Sequence, residues 1–132
     1  MQISRPCPDC NASAVWLIGQ RVDKNNELMW YQSIRCDRGC SIEEDGFGQP
    51  PPELRNTLLQ VEGRWALVIP PDANRVCVLN ILRSALKLDM SRMRLMLKRL
   101  PGPIWQGTKT EVNRLKELLG QEGVTASVVP ES

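Results

Sequence analysis

The chain has 132 residues, 42% apolar and 24% charged, with five Cys, ten Pro, no His and a formal net charge of +2. That length fits one ordinary domain or two very small ones, and no run of about 18 apolar residues appears that would span a membrane. The lack of His removes the commonest general base and the Ser-His and Cys-His nucleophile pairs, which disfavours an enzyme; the N-terminus lacks the basic-then-apolar order of a secretory signal, so a cytoplasmic location is expected.

The charge is unevenly spread. Met1 to Gly63 carries six Lys and Arg against nine Asp and Glu, a net of −3, whereas Arg64 to Ser132 carries eleven against six, a net of +5. Any basic surface therefore belongs to the second half. Cys7-Pro8-Asp9-Cys10 and Cys36-Asp37-Arg38-Gly39-Cys40 form two close pairs 25 residues apart. Two such turns place four sulfurs around one point, and Gly39 supplies a backbone conformation that few residues tolerate. Ala14 to Val22 and Glu27 to Arg35 are rich in Val, Ile, Trp and Tyr, and Asp23-Lys24-Asn25-Asn26 between them accepts a turn, which predicts a hairpin. Two knuckles bracketing a hairpin resemble a zinc ribbon over residues 1–46. Two disulfides, or a redox Cys-x-x-Cys, are the rival readings; the first conflicts with a cytoplasmic location and the second lacks a strand-turn-helix setting.

In the zinc reading Cys7, Cys10, Cys36 and Cys40 hold a structural Zn²⁺, because four thiolates leave no open position for a reacting water. Folding of so small a segment would depend largely on the ion. Trp16, Trp30 and Tyr31 are aromatic enough to stack on bases, but a small core uses such groups for packing, and the acidic balance opposes phosphate contact.

Glu43 to Pro52 combines three acidic residues, two Gly and three consecutive Pro, which predicts a stiff exposed linker. Leu54, Leu58 and Val61 recur at helical spacing after Pro52, so Glu53 to Val61 is expected to be a short helix covering one edge of a second domain. The boundaries read as a ribbon over 1–46, a Pro-rich linker and short helix over 47–63, and a second domain over 64–132.

That domain reads strand, helix, helix, strand, helix, strand, giving the chain an α+β fold class. Arg64 to Ile69 suits a buried strand, and Asp72 or Asn74 can cap a helix carrying Val78, Leu79, Leu82, Ala85 and Leu86. A second helix starts near Asp89 or Ser91 and places Met93, Met96, Leu97 and Leu100 on one face before Pro101-Gly102-Pro103. Ile104-Trp105 opens a strand. Thr108 and Glu111 have capping-box spacing for a helix striped by Val112, Leu115, Leu118 and Leu119; Gly123 closes it, and Val124 to Val129 alternate as a last strand.

The stretch Asn74-Arg75-Val76-Cys77-Val78-Leu79-Asn80-Ile81-Leu82-Arg83 resembles the first helix of the C-terminal domain of the bacterial ribosomal stalk protein. Leu88, Pro101, Ile104, Gly107 and Glu111 fall where that family places Leu, Pro, an aliphatic residue, Gly and an acidic residue; Leu115, Lys116, Leu119 and Gly123 follow after a one-residue deletion. The resemblance covers roughly residues 64 to 130. It implies a three-stranded antiparallel sheet with three helices on one face, an architecture shared with adaptors that deliver substrates to a protease. Where the family carries Gly-Leu-Gly-Leu-Lys-Glu-Ala-Lys to recruit translational GTPases, this chain reads Lys87-Leu88-Asp89-Met90-Ser91-Arg92-Met93-Arg94. The recognition Lys is replaced by Ser91 and a later Lys by Trp105, so the resemblance implies a protein-binding scaffold more than a stalk.

Arg83, Lys87, Arg92, Arg94, Lys98 and Arg99 bring six positive charges into 17 residues. With Met90, Leu95 and Trp105 as apolar neighbours they form the candidate partner surface. Cys77 precedes a core-facing Val and reads as a small packing group. The expected function is a non-catalytic protein-binding module, best matched by an immunity- or antitoxin-like inhibitor that occludes a toxin enzyme, including one acting on translation. The alternatives are an accessory factor for a translational GTPase, the ribosome or an adaptor-dependent protease, and a nucleic-acid-binding zinc protein. No membrane partner is expected.

Overall fold

The computed structural model describes residues 1–131. Among them, seven strands lie in two antiparallel sheets, accompanied by four helices. This is the expected α+β class. The chain divides into two units, the first spanning Met1–Leu58 and the second beginning at Leu59.

In the first unit β1 (Gln2–Pro6), β2 (Ser13–Val22), β3 (Leu28–Cys36) and β4 (Ser41–Phe47) pair in chain order. The expected hairpin is β2–β3. Asp23 organises its turn, its Oδ1 accepting the backbone N–H groups of Asn25 at 2.8 Å and Glu27 at 2.9 Å, a short-range competition that Asp wins readily. The outer strands correct the sequence reading. Glu43 to Phe47, expected as linker, pairs with β3 from Ser33↔Glu43 to Met29↔Phe47.

Period-two alternation turns Ala14, Trp16 and Ile18 of β2 to one face. Helix α1 (Pro52–Glu62) packs there, with Leu54 and Leu58 joining Ile18 in a core flanked by Met1, Ile3, Trp16 and Trp30. Arg5 Nη1 donates to Thr57 Oγ1 at 3.1 Å, tying β1 to the helix. This part of α1 therefore covers the first sheet rather than an edge of the second domain, and Val61, expected in its apolar stripe, is exposed. Trp30 lies over Gly46, where an added Cβ would come 2.8 Å from the indole Nε1. Two of the three candidate stacking aromatics, Trp16 and Trp30, thus serve this small core.

The second unit runs β5 (Trp65–Ile69), α2 (Arg75–Leu86), α3 (Met90–Arg99), β6 (Gly102–Gly107), α4 (Lys109–Gln121) and β7 (Ser127–Pro130), with sheet order β6-β5-β7. Each helix begins at a side chain that satisfies an orphan N–H. Asn74 Oδ1 accepts from Cys77 N at 3.1 Å and Asp89 Oδ1 from Arg92 N at 2.9 Å. Thr108 and Glu111 form the reciprocal box, with bonds of 3.0 and 3.2 Å. Leu67 and Ile69 from β5 meet Val78 and Leu82 of α2, Met96 of α3, and Val112, Leu115 and Leu119 of α4 in one core. Gly123 ends α4 at φ 82°. The last strand begins later than its alternation predicts, because Val124 and Ala126 enter the core just before it.

Candidate metal centre and basic face

The first knuckle connects β1 to β2 and the second connects β3 to β4. In the first, Cys7 N–H donates to Ala12 O at 2.8 Å and Asn11 N–H returns to Cys7 O at 2.9 Å. Asn11 sits at φ 61°, a left-handed conformation that Asn tolerates because its short polar side chain bonds locally. In the second, Gly39 N–H donates to Cys36 O, with Gly39 at φ 90°. The two turns use left-handed residues at different steps. Sequence reading named Gly39 and missed Asn11, although an Asn directly after a Cys-x-x-Cys was the available signal.

The four sulfurs of Cys7, Cys10, Cys36 and Cys40 lie within 4.8 Å of one another. Cys10 Sγ is 3.6 Å from Cys36 Sγ and 3.7 Å from Cys40 Sγ. Tetrahedral zinc bound by sulfur at about 2.3 Å sets its sulfurs about 3.8 Å apart, so the donor set fits a thiolate-bound metal ion. Cys7 is buried and the other three are half-buried. Ala14 and Ile34 form the apolar floor, packed beside Trp16 and Ile42.

Protons are shared unevenly among these sulfurs. Burial pushes the Cys36 thiol up, but the N–H groups of Cys40, at 3.2 Å, and Arg38, together with the adjoining thiols, bring it down to about 7. Cys40, beside Cys36 and Cys10, is pushed up to about 12. Cys10 is raised as well: the Ala12 N–H opposes the shift, but burial and the Cys36 and Cys7 sulfurs outweigh it. Sulfurs this close do not all ionise by themselves, whereas a divalent cation would compensate four thiolates.

The second feature lies on α2 and α3. Arg83, Lys87, Arg92, Arg94, Lys98 and Arg99 are all exposed, and none forms an ion pair among the described residues. Met90 is 59% exposed and Leu95 58%, so both lie on the solvent side of α3 with Arg92, Arg94, Lys98 and Arg99. Leu97, expected in the core, is exposed as well. Trp105 does not join them: half-buried on β6, it packs against the core of the second unit. Arg83 and Lys87 line a shallow depression of about 590 Å³ with Asn80, Ser84 and Leu88. Lys87 has φ 52° and ψ 50° and ends α2 through its N–H to Arg83 O. Cys77 is half-buried against the core.

Among the described residues no helix is long and apolar enough to cross a membrane. No protein-family model, curated protein or solved structure matches the chain.

Proposed function

We propose that this chain is a non-catalytic protein-binding module, a small cytoplasmic inhibitor that docks on and occludes a partner protein, with zinc as the structural ion of its first unit. Four thiolates fill a tetrahedral shell and leave no place for substrate or activated water, so the ion's work is to hold the two knuckles together. The observation that carries the reading is the α2–α3 face. Six exposed cations, without an ion pair among the described residues, lie on α2 and α3 beside exposed Met90, Leu95 and Leu97. Solvated charge needs no apolar neighbours, whereas a docking surface combines charge for steering with apolar area for affinity. A toxin enzyme with an acidic site is the partner class such an inhibitor would serve.

The element order and sheet of the second unit support the resemblance to the stalk C-terminal domain as a scaffold. So does the left-handed backbone of Lys87, at the position where that family carries Gly. Translational GTPases thereby become the second partner class.

The test is capture of partners from the native cell lysate by the tagged full chain, washed at low and high salt, beside the Arg92→Glu/Arg94→Glu variant. One stoichiometric protein is expected, with affinity falling about tenfold or more in the variant, while helical circular dichroism stays unchanged. Equal recovery by the variant refutes the docking face. Ribosomes or elongation factors in the eluate select the accessory-factor reading, and nucleic acid released steeply by salt selects the nucleic-acid reading.

A further inference from the structure

The four sulfurs differ in access and in neighbours. Cys7 is 2% exposed, whereas Cys10, Cys36 and Cys40 are each half-buried, so Cys7 is the residue most shielded from a small solute. Cys10 faces both sulfurs of the other knuckle, 3.6 Å from Cys36 and 3.7 Å from Cys40. A disulfide needs its sulfurs to close to about 2 Å, a movement of under about 2 Å from these separations. Whichever of Cys10, Cys36 and Cys40 is oxidised first, a partner on the opposite knuckle lies in contact with it.

We propose that Cys10 is the pivot of a peroxide-sensitive modification site: oxidation joins it to Cys36 or Cys40 across the two knuckles and expels the metal ion. This rests on the metal-bound reading of the four thiolates. In the first step one of these three thiolates attacks hydrogen peroxide, breaking the O–O bond and giving a sulfenic acid and hydroxide. In the second, the facing thiolate attacks that sulfur, forming the S–S bond and releasing a second hydroxide. Two electrons pass from the two sulfurs to the peroxide. The ion keeps only two of its four thiolates and leaves, and the first unit loses the free energy that metal binding contributed to its folding. Cys7 stays reduced because it is buried, and Cys77, half-buried on α2 in the second unit, takes no part.

The experiment loads the full chain with zinc, adds hydrogen peroxide in steps, and follows release with a chromogenic zinc chelator. In parallel the remaining thiols are alkylated and tandem mass spectrometry maps the disulfide; cleavage after Arg38 separates Cys36 from Cys40. About one ion leaves per disulfide formed, the bond joins Cys10 to Cys36 or Cys40, and Cys7 and Cys77 remain alkylatable. The Cys77→Ser variant releases its ion at the same peroxide dose, and thiol reductant with added zinc restores the loaded state. A bond within either knuckle, a bond involving Cys77, or retention of the ion while Cys77 is oxidised overturns the proposal. Failure of the chain to take up zinc in the starting sample refutes the metal-bound reading instead, so the two failures are distinguishable.

Discussion

Replacing Lys87 by Gly should stabilise the second unit although it removes a side chain and a charge. Lys87 ends α2 with φ 52° and ψ 50°. A residue with a Cβ pays about 1–2 kcal/mol in that left-handed conformation, and Gly does not. Gly also loosens the unfolded chain, returning about 0.5–1 kcal/mol of that gain. The net expectation is a stabilisation of about 0.5–1 kcal/mol, which slows globally limited amide exchange about two- to fivefold. The assay is native-state hydrogen exchange at Leu67, Val112 and Leu119, whose side chains are fully buried in the second unit and whose amides report its opening without contribution from the first. Lys87→Ala is the control. It removes the same charge from the basic cluster but keeps the Cβ, so exchange stays near the parent rate. Equal slowing in both variants would show that charge relief, not backbone strain, sets the stability of this corner, and no slowing in Lys87→Gly would refute the strain altogether.

Gly46→Ala would push a methyl to within 2.8 Å of the Trp30 indole and force either the ring or β4 to move; a loss of about 1–3 kcal/mol from the first unit is expected, read as a lower denaturant midpoint by Trp fluorescence. Cys36→Ser leaves three thiolates and should lower zinc content below stoichiometry and disorder the β2–β3 hairpin, whereas Cys77→Ser should leave both unchanged; full zinc occupancy in Cys36→Ser, measured by elemental analysis, would refute the four-thiolate assignment.

How far the fold was legible followed from how each element buries its side chains. The second unit announced itself through helical apolar spacing and three side-chain caps, Asn74, Asp89 and Thr108, because both signals are local and carry their own hydrogen bonds. β1 and β4 gave no such signal. They are edge strands in which only Ile3 and Ile42 among the large apolar groups are sheltered, so composition reads as loop while pairing with β2 and β3 makes them strands. The partner of α1 was not legible either, since Leu54 and Leu58 show that the helix has an apolar face but not which sheet lies beneath it. At the candidate site the four Cys were fully readable from spacing. Leu97 lies on the flank of the α3 stripe, which apolar character alone does not distinguish from its centre. Trp105 packs from β6 against the core of the second unit, a placement that depends on the sheet rather than on a local pattern.

The acidic run Glu43-Glu44-Asp45 takes on a different meaning once it is placed on β4. An edge strand offers a row of unpaired backbone groups to any extended chain it meets, and in a small sheet this is the shortest route to aggregation. Here successive carboxylates project to opposite faces of the outermost strand. A second copy of β4 pairing antiparallel on this edge about Glu44 would therefore set carboxylate against carboxylate on both faces. The same residues that disguise the strand as a linker act as gatekeepers that keep it the last in its sheet.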